Sequence, residues 1–140
     1  MLDLTATLLT IATVGCCVLL HYESLRMLQH LFGNTRRHRT GVLFCMLGLL
    51  ATHTVEIWIF GLGYWVGIYW LHIGTITPPL TEWLDAIYFS AMVYTTVGFG
   101  DLLPTGSLRL LVSGEALTGL ALITWSASFT FLQMQRLWRA

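Results

Sequence analysis

The chain has 140 residues, 56% of them hydrophobic and 10% charged, which leaves too little polar surface to cover a water-soluble globule of this size. It contains no lysine, and its seven arginines balance seven carboxylates, so a formal net charge of zero provides no electrostatic footprint for nucleic acid. One small membrane domain, with lipid as its main solvent, is the expectation.

Leu4 to Leu20 is apolar but has neither the basic flank nor the small-x-small cleavage site of a secretory signal. Thr13-Val14-Gly15-Cys16 is a poor match to a lipoprotein site, so the segment is expected to stay as a membrane helix, continuing past His21 to about Phe32. Cys16, Cys17 and Cys45 fall inside apolar runs, with a spacing that fits neither a zinc site nor a disulfide scaffold, and read as packing residues. Gly33 to Thr40 reads as a short basic loop. A second apolar run extends from Gly41 to about Trp65, its end blurred because Val66 to Ile73 is also apolar and aromatic, and a third from Ser107 to about Leu132, each meeting the ~20 residues that a spanning helix needs. The chain divides into residues 1–40, an extra helix with its basic loop, and residues 41–140, which hold the other two spans.

Three crossings place Arg26, Arg36, Arg37, Arg39, Arg136 and Arg139 on one side and only Arg109 on the other. Because cytoplasmic flanks retain arginine, the expected topology is a multi-pass protein of the cell membrane with its N-terminus outside and its C-terminus in the cytoplasm. Asp3, Glu82, Asp85 and Asp101 then form an external acidic rim that raises the local cation concentration. Tyr64, Trp65, Tyr69, Trp70 and Trp83 suit an interfacial belt.

Between the second and third spans, Pro78 and Pro79 stop any preceding helix. Thr81 is a candidate cap for the next one, and Glu82 and Asp85 put negative charge in its first turn, where the helix dipole favours it. Glu82 to Tyr94 reads as a short helix of about 20 Å at ~1.5 Å per residue, too short for ~30 Å of hydrocarbon. It is expected to enter from outside and turn back.

The residues that follow, Thr95-Thr96-Val97-Gly98-Phe99-Gly100-Asp101, resemble the filter of the potassium-channel pore family residue for residue, with Phe99 where tyrosine is more frequent. Asp101-Leu102-Leu103-Pro104-Thr105 is similar to the filter exit of voltage-gated members, and the likeness covers about Gly41 to Leu132. The resemblance implies an all-α membrane protein with three transmembrane helices, a re-entrant pore helix and a selectivity filter, assembled as a homotetramer. It further implies potassium ions held by the carbonyls of Thr96, Val97, Gly98 and Phe99, with Gly100 closing the filter and Asp101 at the outer mouth. Tyr88 and Phe89 stand at an aromatic pair that supports the filter in the family, where Trp-Trp is common. Phe99 lacks the hydroxyl that ties a filter tyrosine to that pair, so fewer hydrogen bonds are expected to brace the filter. Met92 occupies the place of a glutamate that pairs with the filter aspartate in some bacterial members, and that pair is absent here.

The chemistry of the motif also stands without the family. A potassium ion entering a narrow pore must exchange its hydration shell for oxygens of similar field strength, and rings of backbone carbonyls supply them. Glycines at alternate positions permit the dihedrals that turn successive carbonyls the same way. Thr96 adds a hydroxyl ring below, while Val97 and Phe99 are expected to point away and wedge against the pore helices. Non-helical backbone is tolerated at this depth because it lines an ion path.

No helix carries arginine at every third position, so voltage sensing by the usual route is not expected. Arg36-Arg37-His38-Arg39 reads as a topology signal, with a lipid-headgroup site as the competing reading. The eight residues after Leu132 are too few for a ligand-sensing domain, so a stimulus is expected to act on the membrane part or through a partner. In the third span Gly114 and Gly119 are either bending points or small residues for close helix packing, and Thr124, Ser128 and Phe129 are candidates for the cavity or inner gate.

Ionisable residues inside the spans are the least expected feature. His53 and Glu56 share one face of the second helix, His21 and Glu23 of the antiparallel first helix lie at about the depth of His53, and Glu115 lies about as deep as Glu56. Three readings compete: hydrogen-bonded structural glue, a proton sensor, and a divalent metal site. Glu23 has a further candidate partner in Arg26. His30, His38 and His72 read as solvated or interfacial.

Two functions follow. The first is a passive potassium-selective channel without a voltage sensor or cytoplasmic ligand domain; the second is a non-conducting or weakly selective membrane sensor or regulatory subunit that uses the His/Glu site. Potassium ions in the filter and surrounding lipids are the expected ligands, with no organic cofactor and no nucleic acid; an accessory subunit is left open. Nothing in the sequence supports an enzyme, since no nucleophile, acid–base pair or phosphate loop is present.

Overall fold

The computed structural model describes residues 2–32 and 38–138, with side chains described over 4–31 and 40–135. Helix α1 (Leu2–Phe32) is followed by α2 (His38–Tyr69), the two-residue strand β1 (Ile76–Thr77), α3 (Trp83–Tyr94), strand β2 (Leu103–Pro104) and α4 (Leu108–Trp138). Three stretches, Leu4–Leu31, Thr40–Tyr69 and Leu108–Gln135, are long and apolar enough to cross a membrane. α3, with 12 residues, is not. Large apolar side chains such as Leu4, Leu8, Ile11, Leu47, Leu50 and Leu117 point outward, as lipid-facing positions do.

α1 packs against both α2 and α4, and α3 lies in the angle between α2 and α4. The core forms where these helices meet, around the fully buried Phe60, Tyr64, Tyr94, Leu108 and Leu111. A smaller cluster of Leu25, Leu28, Cys45 and Leu49 joins α1 to α2. α3 can sit this deep because a Cβ on Gly119 of α4 would stand 2.2 Å from the Tyr94 carbonyl oxygen, a separation that only glycine permits. Gly114 plays the same part against α1, where a Cβ would meet the Thr10 methyl at 2.6 Å. Both candidate bending points are therefore places of close helix approach.

One boundary is fixed and three local expectations change. α2 runs on to Tyr69, within the apolar stretch Val66 to Ile73 that blurred its end, and continues through Gly67; it stops just before His72, whose φ is 50°. It also begins at His38, inside the segment read as a loop; Gly33 to Arg37 lie outside the described residues, as do the side chains of His38, Arg39 and Arg136. The N-cap of α3 is Glu82, not Thr81: the Asp85 carboxylate reaches back to accept from the Glu82 amide at 3.0 Å, and Thr81 serves that carboxylate from outside through its amide at 2.8 Å and its hydroxyl at 2.9 Å. Tyr64 belongs to the core and not to the interfacial belt, whereas Tyr69, Trp70 and Trp83 are exposed as that belt requires.

The strands form an antiparallel pair that the sequence reading did not contain, with Ile76 opposite Pro104 and Thr77 opposite Leu103. The Thr105 amide donates to the Thr75 carbonyl at 2.8 Å, and the two hydroxyls meet at 2.7 Å. This ribbon fastens the segment entering α3 to the segment entering α4.

Candidate ion pathway and a buried histidine–glutamate cluster

At the end of α3 the chain turns into the candidate filter segment through three main-chain hydrogen bonds. The Thr95 amide donates to Ala91, the Thr96 amide to Val93 and the Gly98 amide back to Met92, at 3.0–3.1 Å. Thr96, Gly98 and Gly100 have φ of 61°, 50° and 77°, and no positive φ is recorded for Val97 or Phe99 between them. The left-handed conformation therefore alternates along the segment, and at Thr96 a residue with a Cβ is held where glycine is the usual occupant. Every residue from Thr95 to Asp101 is exposed, with Val97 at 53% and Phe99 at 70%.

Asp101 takes a partner that the sequence did not reveal: Tyr88 Oη donates to its Oδ2 at 2.8 Å. This bond lifts the Tyr88 phenol above the ordinary tyrosine range, while the Asp85 carboxyl, accepting first from the Glu82 amide and then from Thr81, is held below the ordinary carboxylate range. Phe89 turns inward and meets the Tyr64 ring edge-on at 4.9 Å between centroids.

Of the five ionisable residues placed at similar depth by the sequence, three come together. Glu56, with no exposed surface, is met by His21 Nδ1 at its Oε1 and by His53 Nδ1 at its Oε2, both at 2.9 Å. Tyr94 Oη donates to Oε2 at 2.5 Å and lies 2.9 Å from His53 Nδ1. On the far side of both rings stands Ser126 Oγ, 3.0 Å from His53 Nε2 and 3.4 Å from His21 Nε2. α1, α2, α3 and α4 thus each supply a member. His53 and Ser126 also line a mainly apolar cavity of about 440 Å³ between α2 and α4.

Glu23 is not part of this group; it points outward, 3.5 Å from Arg26. Glu115 is fully buried but forms its own site, accepting from Tyr64 Oη and from Ser90 Oγ. The sequence reading missed Tyr94, Ser126, Tyr64 and Ser90. A signal existed for Ser126, which follows Glu115 by eleven residues and so returns to the same helix face after three turns. Another existed for Tyr64 and Tyr94, since a buried phenol requires a hydrogen-bonding partner.

A model of the family described as "Ion channel" matches residues 41–136, from the start of the second span to the end of the last. The chain belongs to the ion channel family. The part of this ion channel that precedes residue 41 lies outside the match, so α1, and His21 with it, is additional to the family's shared region. Its sequence is also 40% identical over 88 residues to the uncharacterized membrane protein YdjJ of Bacillus subtilis (strain 168), an alignment covering 58% of this ion channel and 26% of that protein. The chain thus spans about a quarter of the length of that relative. No solved structure matches it.

Proposed function

We propose that this chain is one subunit of a homotetrameric potassium-selective channel, with Thr96, Val97, Gly98 and Phe99 presenting their carbonyls to the ion. The observation that carries this reading is the alternation of left-handed backbone at Thr96, Gly98 and Gly100, the pattern that aims successive carbonyls to one side. Four copies are needed because one strand supplies only one oxygen per level, and closed rotational symmetry provides the ring. The exposure of Val97 and Phe99 in a single chain supports the assembly, since neighbouring subunits would cover them. In the tetramer, α4 is the inner helix, the C-terminal end of α3 faces the ion path with its partial negative charge, and Asp101 lies at the outer mouth. The positive-inside balance of arginines supports an external N-terminus in a cell membrane.

The test is ion flux through purified protein in liposomes, with potassium, rubidium and sodium compared and Gly98→Ala as the filter variant. Potassium and rubidium flux that excludes sodium, lost in Gly98→Ala, is the expected result. Equal passage of sodium overturns the selectivity. Absence of flux together with absence of potassium-dependent tetramer stability overturns the channel itself and favours the sensor reading.

A further inference from the structure

We propose that His21, His53 and Glu56 form an intramembrane site for a divalent transition-metal ion of the zinc type, with Tyr94 Oη as the fourth donor. One ligand atom from each of the three residues falls within 4.8 Å of the others. The imidazole–carboxylate pairs stand at 2.9 Å, a gap that two metal–ligand bonds of about 2.0–2.2 Å bridge with small side-chain movements. Two imidazoles, a carboxylate and a phenol oxygen are the borderline donor set that zinc accepts and that calcium and magnesium do not favour.

A count of hydrogens points the same way. With Glu56 as a carboxylate, both Nδ1 atoms must donate to it, which leaves both Nε2 atoms of two neutral rings as acceptors. Both face the single hydroxyl of Ser126, which has one proton to give, so two neutral rings leave one Nε2 without a donor, and the count closes only when the site carries positive charge, as a proton on one ring or as a metal. With a metal on both Nδ1 atoms the count closes: each Nε2 carries hydrogen, and Ser126 Oγ accepts from both with its two lone pairs. The hydroxyl proton is then free for the main-chain carbonyl one turn back, the bond that Ser128 and Thr130 already make. A hydrogen bond that fixes the remote nitrogen of a ligating histidine is the usual outer support of such sites.

Charge supports the same conclusion. A fully buried carboxylate needs a cationic partner, and the arginines whose side chains are described lie elsewhere, Arg26 on Glu23 and Arg109 on the Pro104 carbonyl, so the charge falls to a proton on His21 or His53 or to a bound cation. A metal supplies that charge with both rings neutral, reaching the site from the cavity that His53 lines. It would join α1 to α2 and to the end of α3, two residues ahead of Thr96.

The full chain in lipid nanodiscs, stripped with chelator and reloaded with zinc alone, tests the site by metal content and by the visible spectrum of a cobalt substitute. One zinc per chain is expected in the wild type and in His30→Gln, falling at least tenfold in His21→Gln and Glu56→Gln. Ser126→Ala is expected to keep the stoichiometry and weaken affinity by about 10- to 100-fold. A wild type that binds no zinc overturns the site, and so does zinc content unchanged in both His21→Gln and Glu56→Gln. If those variants do not fold, Tyr94→Phe, which removes one oxygen, is the deciding one: a cobalt spectrum identical to the wild type removes Tyr94 from the donor set and overturns the proposal as stated.

Discussion

Tyr88 Oη donates to Asp101 Oδ2 at 2.8 Å, so the residue that follows Gly100 is tethered to the middle of α3. Phe99 has no hydroxyl with which to make a second brace. In the proposed channel, the hold on the filter would therefore come from its exit. Tyr88→Phe removes that hold while keeping the ring, and the expected outcome is potassium flux that starts normally and declines a few-fold faster. Phe99→Tyr, which adds a second brace, is expected to slow the decline. Time-resolved flux or single-channel recording checks both, and an unchanged time course in the two variants would remove the tether from the gating mechanism.

Gly119 and Gly15 give opposite expectations for the same substitution. A Cβ at position 119 would stand 2.2 Å from the Tyr94 carbonyl oxygen, a main-chain atom that cannot turn aside, so Gly119→Ala is expected to cost about 1–3 kcal/mol. Nothing lies within 4 Å of a Cβ at Gly15, where alanine gains about 1 kcal/mol of helix preference. Thermal denaturation of the solubilised protein should show a lower midpoint for the first variant and an equal or higher one for the second.

Glu115 accepts from Tyr64 and Ser90 inside the core. Glu115→Gln keeps one acceptor oxygen, for Tyr64, and offers its NH2 to Ser90 Oγ, which still donates to the Ile57 carbonyl, so it is expected to fold. Glu115→Ala leaves the phenol without its acceptor, while Ser90 retains the Ile57 carbonyl at 2.8 Å; a loss of about 1–3 kcal/mol follows. The difference in unfolding midpoint between the two variants measures the bond.

The Asp85 carboxyl is depressed by the Glu82 amide and by Thr81, so its contribution to holding the start of α3 is present above the ordinary carboxylate pKa and is lost as pH falls through the lower, folded value. Asp85→Asn is therefore expected to be less stable than the wild type at neutral pH, with the gap closing in acid. Stability curves from pH 7 to pH 2 check the sign; a gap that widens in acid would reverse it.

Hydropathy and the prolines before α3 made the three long helices and the short α3 legible in the sequence, because these are properties of contiguous residues. What stayed hidden depends on the direction a side chain takes around a helix. Counting from the basic loop puts His21 and Glu23 at about the depth of His53, and counting from the outer side puts Glu115 about as deep as Glu56, but depth does not give azimuth. Glu23 lies two residues from His21, about 200° around the helix, and so faces outward when His21 faces in. Glu115 matches Glu56 in depth yet points to Tyr64 and Ser90. The β1–β2 ribbon was illegible for another reason: two paired residues on each side, separated by the whole pore helix and filter, carry no periodicity to read.

α1 leans on both α2 and α4, with Thr10 lodged against Gly114 and Thr13 near Gly63. In the proposed tetramer, an outward swing of the inner helix would carry this helix with it into the surrounding lipid. Opening would then change the area that each subunit occupies in the bilayer, and the work of opening would include a term set by lateral tension and by membrane thickness. The extra helix would make the bilayer itself a participant in the equilibrium between shut and open pores.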